Sequence, residues 1–252
     1  MSSDWRDIHL RNPGQTSLHL IQNKKKKKKF ANLYLLIGSS LIIAGCSIKP
    51  VLKTDDRQYD SDGVWKQSNI RINEYVKVYD NNNHVKTCLD RAASKRYLYY
   101  IHRVFYKYKL PPELAHLPIL ESCFDKHADS GHARGMWQFT RATAGDYGLR
   151  VNLISDDRLN WKKATHSAAR YLRKLGDMFN KNWELALAGY NGGPNYMERQ
   201  MKSQGTRNFW KLKLRKETYE YVPKFLAMLK IARSKYPELY FQGAPRVWVS
   251  SS

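Results

Sequence analysis

LPPELAHLPILESCFDKHADSGHARGMWQF, residues 110–139, is the stretch on which the reading of this chain turns. Leu110-Pro111-Pro112 ends one helix and starts another, because proline suits a first helical turn. The spacing predicts that the second helix runs to about Ser122, with Pro118 kinking it. Its end, Leu117 to Phe124, is apolar except for Glu121 and Ser122. Burial favours the neutral form of a carboxylate and raises its pKa. A raised Glu can donate a proton at neutral pH, as a general acid must. The competing reading is a helix-end Glu that reaches water or a basic partner. Beyond it, Gly131 and Gly135 permit tight turns. Trp137 offers an aromatic face and Gln138 an amide, a pair suited to a sugar ring and its hydroxyls. Their alternative is a core aromatic beside an ordinary turn.

Outward from this stretch the period is helical. Tyr97, Ile101, Val104, Phe105 and Tyr108 fall on one face of an amphipathic helix. Thr140 caps a short helix that Gly148 follows. Trp161 to Phe179 forms a longer one, with Ala164, Ala168, Tyr171, Leu172, Leu175, Met178 and Phe179 on its buried face. Asn182 caps another, over Trp183 to Gly189, and Tyr190-Asn191-Gly192-Gly193-Pro194 reads as a turn after it. A last helix carries Tyr221, Phe225, Leu226 and Leu229. No stretch alternates strongly at period two. The fold class is mainly α (α+β), a single helical domain with at most a small sheet.

Charge and leader bound the function. The 252 residues hold 44 basic and 22 acidic side chains, a formal net charge of +22. Residues 1–45 hold 8 and 2 of these, so the rest keeps 36 against 20, or +16. Such a body suits a polyanionic partner: nucleic acid, anionic lipid or an acidic wall polymer. Lys24 to Lys29 precede an apolar run, Phe30 to Gly45, whose 16 residues are short for a membrane span. This is the layout of a secretory signal, and Ile43-Ala44-Gly45-Cys46 resembles the bacterial lipoprotein box, which predicts lipidation at Cys46. Export argues against nucleic acid. The expected organisation is a signal segment over 1–45, a polar tether over 46–85 (with a short helix at Arg71 to Tyr79), a catalytic domain over 86–236 and a tail over 237–252. The lack of a CxxC pair argues against a zinc ribbon. Export leaves Cys88 and Cys123 in an oxidising compartment, where a disulfide is one reading; two buried free thiols is the favoured one, since both fall in predicted helices and a bridge needs Cα atoms within roughly 7 Å.

Glu121-Ser122, then Gly135-Met-Trp-Gln138, then Tyr190-Asn191, in that order and spacing, resemble the soluble lytic transglycosylase domain, which has a goose-type-lysozyme-like fold. Within that family the likeness is to the membrane-bound lytic murein transglycosylase D group, over about residues 86–236. The resemblance makes Glu121 the catalytic acid/base. It places the Ser130 hydroxyl near that glutamate and the substrate's N-acetyl group. Gln138, Tyr190, Asn191 and Tyr221 become substrate-binding or orienting residues. Two departures stand out: Gly189 where the family has Ala, and Cys123 where a small residue is common. No second domain is legible after Pro237, where the D group often carries wall-binding repeats.

Glycoside cleavage usually takes two carboxyl groups. The matched motifs supply one, and Asp125, Asp129, Asp146, Asp156 and Asp157 read as surface or capping groups. One suffices if the nucleophile comes from the sugar itself. The resemblance therefore implies cleavage of the β-1,4 bond after N-acetylmuramic acid with closure of a 1,6-anhydro ring, using no cofactor and no metal. Peptidoglycan is the expected partner, and the expected place is the periplasmic face of the outer membrane, through a lipid anchor on a monomer. The rival readings are a lysozyme-type hydrolase and a non-catalytic, basic peptidoglycan-binding envelope lipoprotein.

Overall fold

A computed structural model of the chain describes residues 61–94 and 97–237. The signal segment, Cys46 and all but the first residue of the tail lie outside the described residues. Among the described residues, no helix is long and apolar enough to cross a membrane.

Ten α-helices and one two-residue hairpin account for the described fold: α1 (Ser61–Lys66), α2 (Ile70–Asp80), α3 (Asn83–Ser94), α4 (Tyr97–Lys107), α5 (Leu117–Ser122), β1 (Ala133–Arg134), β2 (Phe139–Thr140), α6 (Arg141–Asp146), α7 (Trp161–Met178), α8 (Trp183–Gly192), α9 (Pro194–Gln204) and α10 (Lys216–Lys235). The strands are antiparallel, with Ala133 opposite Thr140 and Arg134 opposite Phe139. The chain is thus mainly α with a small sheet, as its periodicity implies.

The predicted caps are in place. Thr140 accepts from the Thr143 N–H at the start of α6, and Asn182 accepts from the Leu185 N–H at the start of α8. Of the face read for α7, Ala164, Ala168, Tyr171, Leu172, Leu175 and the C-cap Phe179 are buried, while Met178 is half-buried. Pro118 does not kink a long helix. A 3-10 segment, Pro112–His116, comes first, and α5 begins afresh with Pro118 in its first turn, where the missing N–H costs no hydrogen bond.

The segment read as a polar tether differs from that reading over its second half. Residues 61–85 are largely helical, and α2 packs along α10. Arg71 lies 4.0 Å from the Tyr219 ring centroid and 5.4 Å from that of Trp210. Arg233 donates to the Trp65 carbonyl (2.8 Å) and pairs with Glu113 (2.7 Å); the Tyr236 hydroxyl donates to Asp90 (2.7 Å). Only Ile72 and Tyr79 of α2 are buried. Further contact comes from cations on ring faces and an ion pair, Arg71 on Tyr219, Lys224 on Tyr75 (5.3 Å) and Lys235 with Asp80 (2.9 Å), so the segment keeps a polar sequence.

Cys88 and Cys123 are buried as expected, but they are not free thiols. They form a disulfide, with their Cα atoms 4.8 Å apart. The expectation failed because Cys123 is not in a helix body. It is the C-cap of α5 in the left-handed conformation (φ 54°), followed by Phe124 at φ 56°, and this sharp turn brings it to α3. His84 brings a ring nitrogen within 4.8 Å of both sulfurs, but disulfide sulfurs are not thiolate ligands, and the trio is no metal site.

Candidate active site

Glu121 occupies the last turn of α5, and the chain just beyond it is fixed from three sides. The disulfide holds Cys123 to α3, Arg91 of α3 donates to the Cys123 carbonyl (3.0 Å), and the fully buried Phe124 ring stacks on Tyr97 of α4 at 6.1 Å. Two consecutive non-glycine residues at positive φ are costly unless their surroundings impose them. Here they do, and the result is a rigid platform for the glutamate.

The residue is half-buried, yet enough protein surrounds its carboxylate that desolvation is the largest influence on it, and burial pushes its pKa up to about 7. A hydrogen bond from the Tyr221 hydroxyl of α10 to Oε1 works in the opposite direction, and the negative charge of Glu217 raises it further. Among the described residues no cation pairs with it. A carboxyl of this kind is protonated in a good fraction of molecules at neutral pH, as general acid catalysis needs.

The residues 135–138 turn is sewn to the helices around it. Ser122 Oγ donates to the Met136 carbonyl (2.8 Å), and the Tyr190 hydroxyl to the Trp137 carbonyl (2.7 Å). Gly135 has φ 79°, and a Cβ there would lie 1.9 Å from the Arg158 carbonyl oxygen, so only glycine fits. Gln138, itself at φ 47°, folds its Nε2 back onto the carbonyls of Gly135 (2.9 Å) and Ala128 (3.4 Å). The Gly-x-x-Gln pattern is therefore first a self-closing turn. It leaves the Gln138 Oε1 without a hydrogen bond among the described residues. Trp137 is corrected outright: it is fully buried, and its indole N–H donates to Thr165 (3.0 Å), so it offers no face to a sugar.

Tyr190 and Asn191 sit in the last turn of α8 rather than in a turn beyond it. The Tyr190 ring lies 5.3 Å from that of Tyr171, and the charge of Glu121 helps hold both hydroxyls well above the usual tyrosine pKa, after burial. Asn191 is gripped by α10: Oδ1 accepts from the Thr218 hydroxyl (3.0 Å), and Nδ2 donates to Glu217 Oε1 (3.1 Å). A Cβ at Gly192 would lie 2.7 Å from the Thr218 hydroxyl oxygen, so this glycine permits the close approach. Gly189 has a local reason too: a Cβ there would be 2.8 Å from Phe179 Cε2. Ser130 lies in the turn just before β1, where its hydroxyl donates to the Ala133 carbonyl (3.1 Å) and accepts from the Ala133 N–H (3.0 Å).

Glu121, Tyr221, Tyr190, Asn191 and the Gln138 turn thus form one connected constellation. The motifs did not single out Ser122 as a tie, or Tyr171, Thr218 and Glu217. Glu217 and Thr218 were legible only as neighbours of Tyr221, because their role depends on α8 and α10 meeting. The expected surface carboxylates have structural partners: Asp129 pairs with Arg134 (2.5 Å), Asp156 with Arg158 (2.7 Å) and Asp157 with Lys163 (2.8 Å).

Residues 100–213 match the family model described as the transglycosylase SLT domain. The chain is 36% identical over 172 residues to membrane-bound lytic murein transglycosylase D of Escherichia coli (strain K12), covering 66% of this chain and 38% of that one. It is 35% identical over 108 residues to a putative tributyltin chloride resistance protein of Alteromonas sp. (strain M-1), covering 42% of this chain and 52% of that one. The match spans about two fifths of the Escherichia coli relative's length.

Proposed function

We propose, from the premise that this chain carries a transglycosylase SLT domain over residues 100–213, that it is a lytic transglycosylase cleaving the glycan strands of peptidoglycan. The observation that carries this reading is the Glu121 carboxyl: half-buried, without a cation among the described residues, pushed by burial to about 7 and fixed at one oxygen by Tyr221.

Tyr221 donates to Oε1, so Oε2 is the atom that carries the proton to substrate. It protonates the oxygen of the β-1,4 bond after N-acetylmuramic acid, and the bond to C1 breaks. The N-acetyl group assists at C1, near the Ser130 hydroxyl. The ionised Oε2 then takes the proton of the sugar's own C6 hydroxyl, whose oxygen closes onto C1 as a 1,6-anhydro ring. Glu121 ends in its starting state, with no water consumed and no second carboxylate used. Tyr190 acts through the Trp137 carbonyl, setting the turn that presents Gln138 to the sugar. Asn191 holds the end of α8 against α10, so Tyr221 keeps its place.

The enzyme works at the bacterial envelope, held to the periplasmic face of the outer membrane by a lipid on Cys46. Intact-mass analysis showing residues 1–45 retained and Cys46 unmodified would contradict the anchor. Digestion of purified peptidoglycan with mass analysis of the products tests the reaction. Anhydro-muropeptides are expected. Products with reducing ends mean a lysozyme, and no products from a folded protein mean a binding protein.

A further inference from the structure

α7 has two faces with different tasks. Tyr171 is buried and lies against Tyr190, whereas Lys162, Arg170, Arg173 and Lys174 are exposed. Across from the exposed face, α4 presents Arg103, Tyr106 and Lys107 to water. Polar side chains join the two helices along this outer seam. His166 sits between two tyrosine hydroxyls, Tyr100 at 3.4 Å from Nε2 and Tyr108 at 3.5 Å from Nδ1. Arg170 donates to the Tyr108 hydroxyl (3.4 Å) and Arg173 to the Tyr108 carbonyl (3.1 Å). The Lys162 ammonium lies 5.7 Å from the ring centroids of both Tyr100 and Trp161.

The charge along this seam is not compensated. α4 has no acidic residue, and α7 has one, Asp177, near its end. Asp177 is held by Lys181, with Arg173 at 4.0 Å from its other oxygen. Arg103, Lys107, Lys162, Arg170 and Lys174 have no carboxylate partner among the described residues. His166 feels the excess: burial first, then the charges of Arg170 and Lys107, push its pKa down. Arg103 and Lys107 stand four residues apart, as do Arg170 and Lys174, the spacing at which like charges weaken a helix. An anionic surface laid on the seam relieves both repulsions.

We infer that the α4–α7 seam is a docking surface for an anionic phospholipid bilayer, with its lysines and arginines on headgroup phosphates and its tyrosines at headgroup depth. The inference rests on the envelope location proposed above and not on the reaction. Tyrosine and tryptophan rings beside cations suit the headgroup layer, because each ring is apolar at its body and wet at its tip. The surface is also broad: from Lys162 to Lys174 a helix rises roughly 18 Å, a span for a plane of headgroups rather than for one anion. A glycan strand at Glu121 meets the Tyr171 side of α7 and leaves these cations free. A lipid on Cys46 would hold the body near a bilayer in any orientation, and this face would select one.

The test uses the full chain with Cys46→Ser, so that no lipid on that residue contributes, and vesicles of phosphatidylglycerol mixed with phosphatidylcholine. Paired Arg103→Gln and Lys107→Gln, and paired Lys162→Gln and Lys174→Gln, each take two charges from the seam. Paired Lys202→Gln and Arg207→Gln take two exposed charges from elsewhere, and Lys24 to Lys29 are common to every variant. Each seam pair is expected to weaken vesicle binding about 25-fold, at roughly fivefold per cation, and the control pair less than about twofold. Thermal midpoints and cleavage of soluble glycan fragments should stay at wild-type values. Vesicles should also shield Lys107, Lys162 and Lys174 from a water-soluble acylating reagent and leave Lys202 reactive. Equal loss in seam and control pairs, no loss in the seam pairs, or shielding of Lys202 in place of the seam overturns the docking surface. Lost binding to wall sacculi or DNA with unchanged vesicle binding assigns the seam to another polyanion and also overturns it. A wild-type protein that binds the vesicles as expected but cuts no glycan keeps the surface and fails the transglycosylase reading instead.

Discussion

Glu121, on the helical side of the site, and Asp156, on the loop that flanks it, are both carboxylates with limited access to water, and their surroundings drive them in opposite directions. Glu121 has a tyrosine hydroxyl and a second carboxylate for company, and burial pushes its pKa up to about 7. Asp156 is held by the Arg158 guanidinium, with further help from Arg134, and falls to about 2. Burial raises the pKa of both; the presence of a cation decides the outcome. The same contrast separates the two regions. The helical wall is closed by apolar packing and a disulfide, the flank by arginine–carboxylate pairs. On the proposed reading the wall makes a proton donor, and the flank makes a fixed frame.

The largest effect expected is on catalysis. On the proposed reading Glu121→Gln keeps shape and removes the transferable proton, so release of cleavage products from peptidoglycan should fall about 1,000-fold while the fold is retained. Retention of more than a tenth of wild-type turnover would break the assignment. Next comes the wall's crosslink, which closes a loop of 35 residues. Removing it with paired Cys88→Ala and Cys123→Ala should cost about 3 kcal/mol in denaturant unfolding. Thiol counting on denatured, non-reduced protein should find neither cysteine reactive.

The pH dependence of stability should then run in opposite senses. A carboxyl raised in the folded state contributes stability that is present below its unfolded pKa, 4.5, and lost as pH rises through about 7. Relative to wild type, Glu121→Gln should therefore gain on the order of 1–3 kcal/mol between pH 4.5 and pH 8. Asp156 is the mirror case. Its contribution is present above 3.8 and lost as pH falls through about 2, so Asp156→Asn should cost about 2 kcal/mol at pH 7 and little at pH 2. Parallel pH curves for the two variants would dissolve the contrast. Smaller again is Tyr221→Phe. It removes the bond that lowers the Glu121 pKa, so the descending limb of the pH–activity curve should move to higher pH, with turnover down about tenfold. An unmoved limb would mean that the hydroxyl does not touch the reacting carboxyl. The smallest effect belongs to the flank's outer pair: Asp129→Asn, on a half-exposed partner of Arg134, should leave the thermal midpoint unchanged.

Much of this was legible before any coordinates. Glu121 stood out because a lone carboxylate in Leu-Pro-Ile-Leu-Glu is costly to bury, and costs of that kind show in the residues themselves. Thr140, Asn182 and the α7 face were legible because capping and helical periodicity are local. What was missed depends on elements that meet only in three dimensions. Trp137 reads as a sugar platform until α4 and α7 cover it. Gln138 reads as a free amide until its backbone turns to positive φ and brings the side chain onto Gly135. The disulfide was hidden because two cysteines in predicted helices gave no sign that one ends its helix in the left-handed conformation. The polar helix α2 was hidden because much of its contact with α10 is made by cations on ring faces and an ion pair, with only Ile72 and Tyr79 buried.

The clasp between α2 and α10 bears on how this domain can be handled in the laboratory. A fragment cut at the limits of the family match, residues 100–213, would leave out both helices of the clasp. It would lack Tyr221, expose the apolar side chains that α10 covers and lose Cys88, leaving Cys123 with an unpaired thiol. Such a fragment should be insoluble or inactive. The portable unit for expression, or for grafting onto another anchor, is the piece from about residue 61 to residue 237, which is longer than the stretch by which its relatives are recognised.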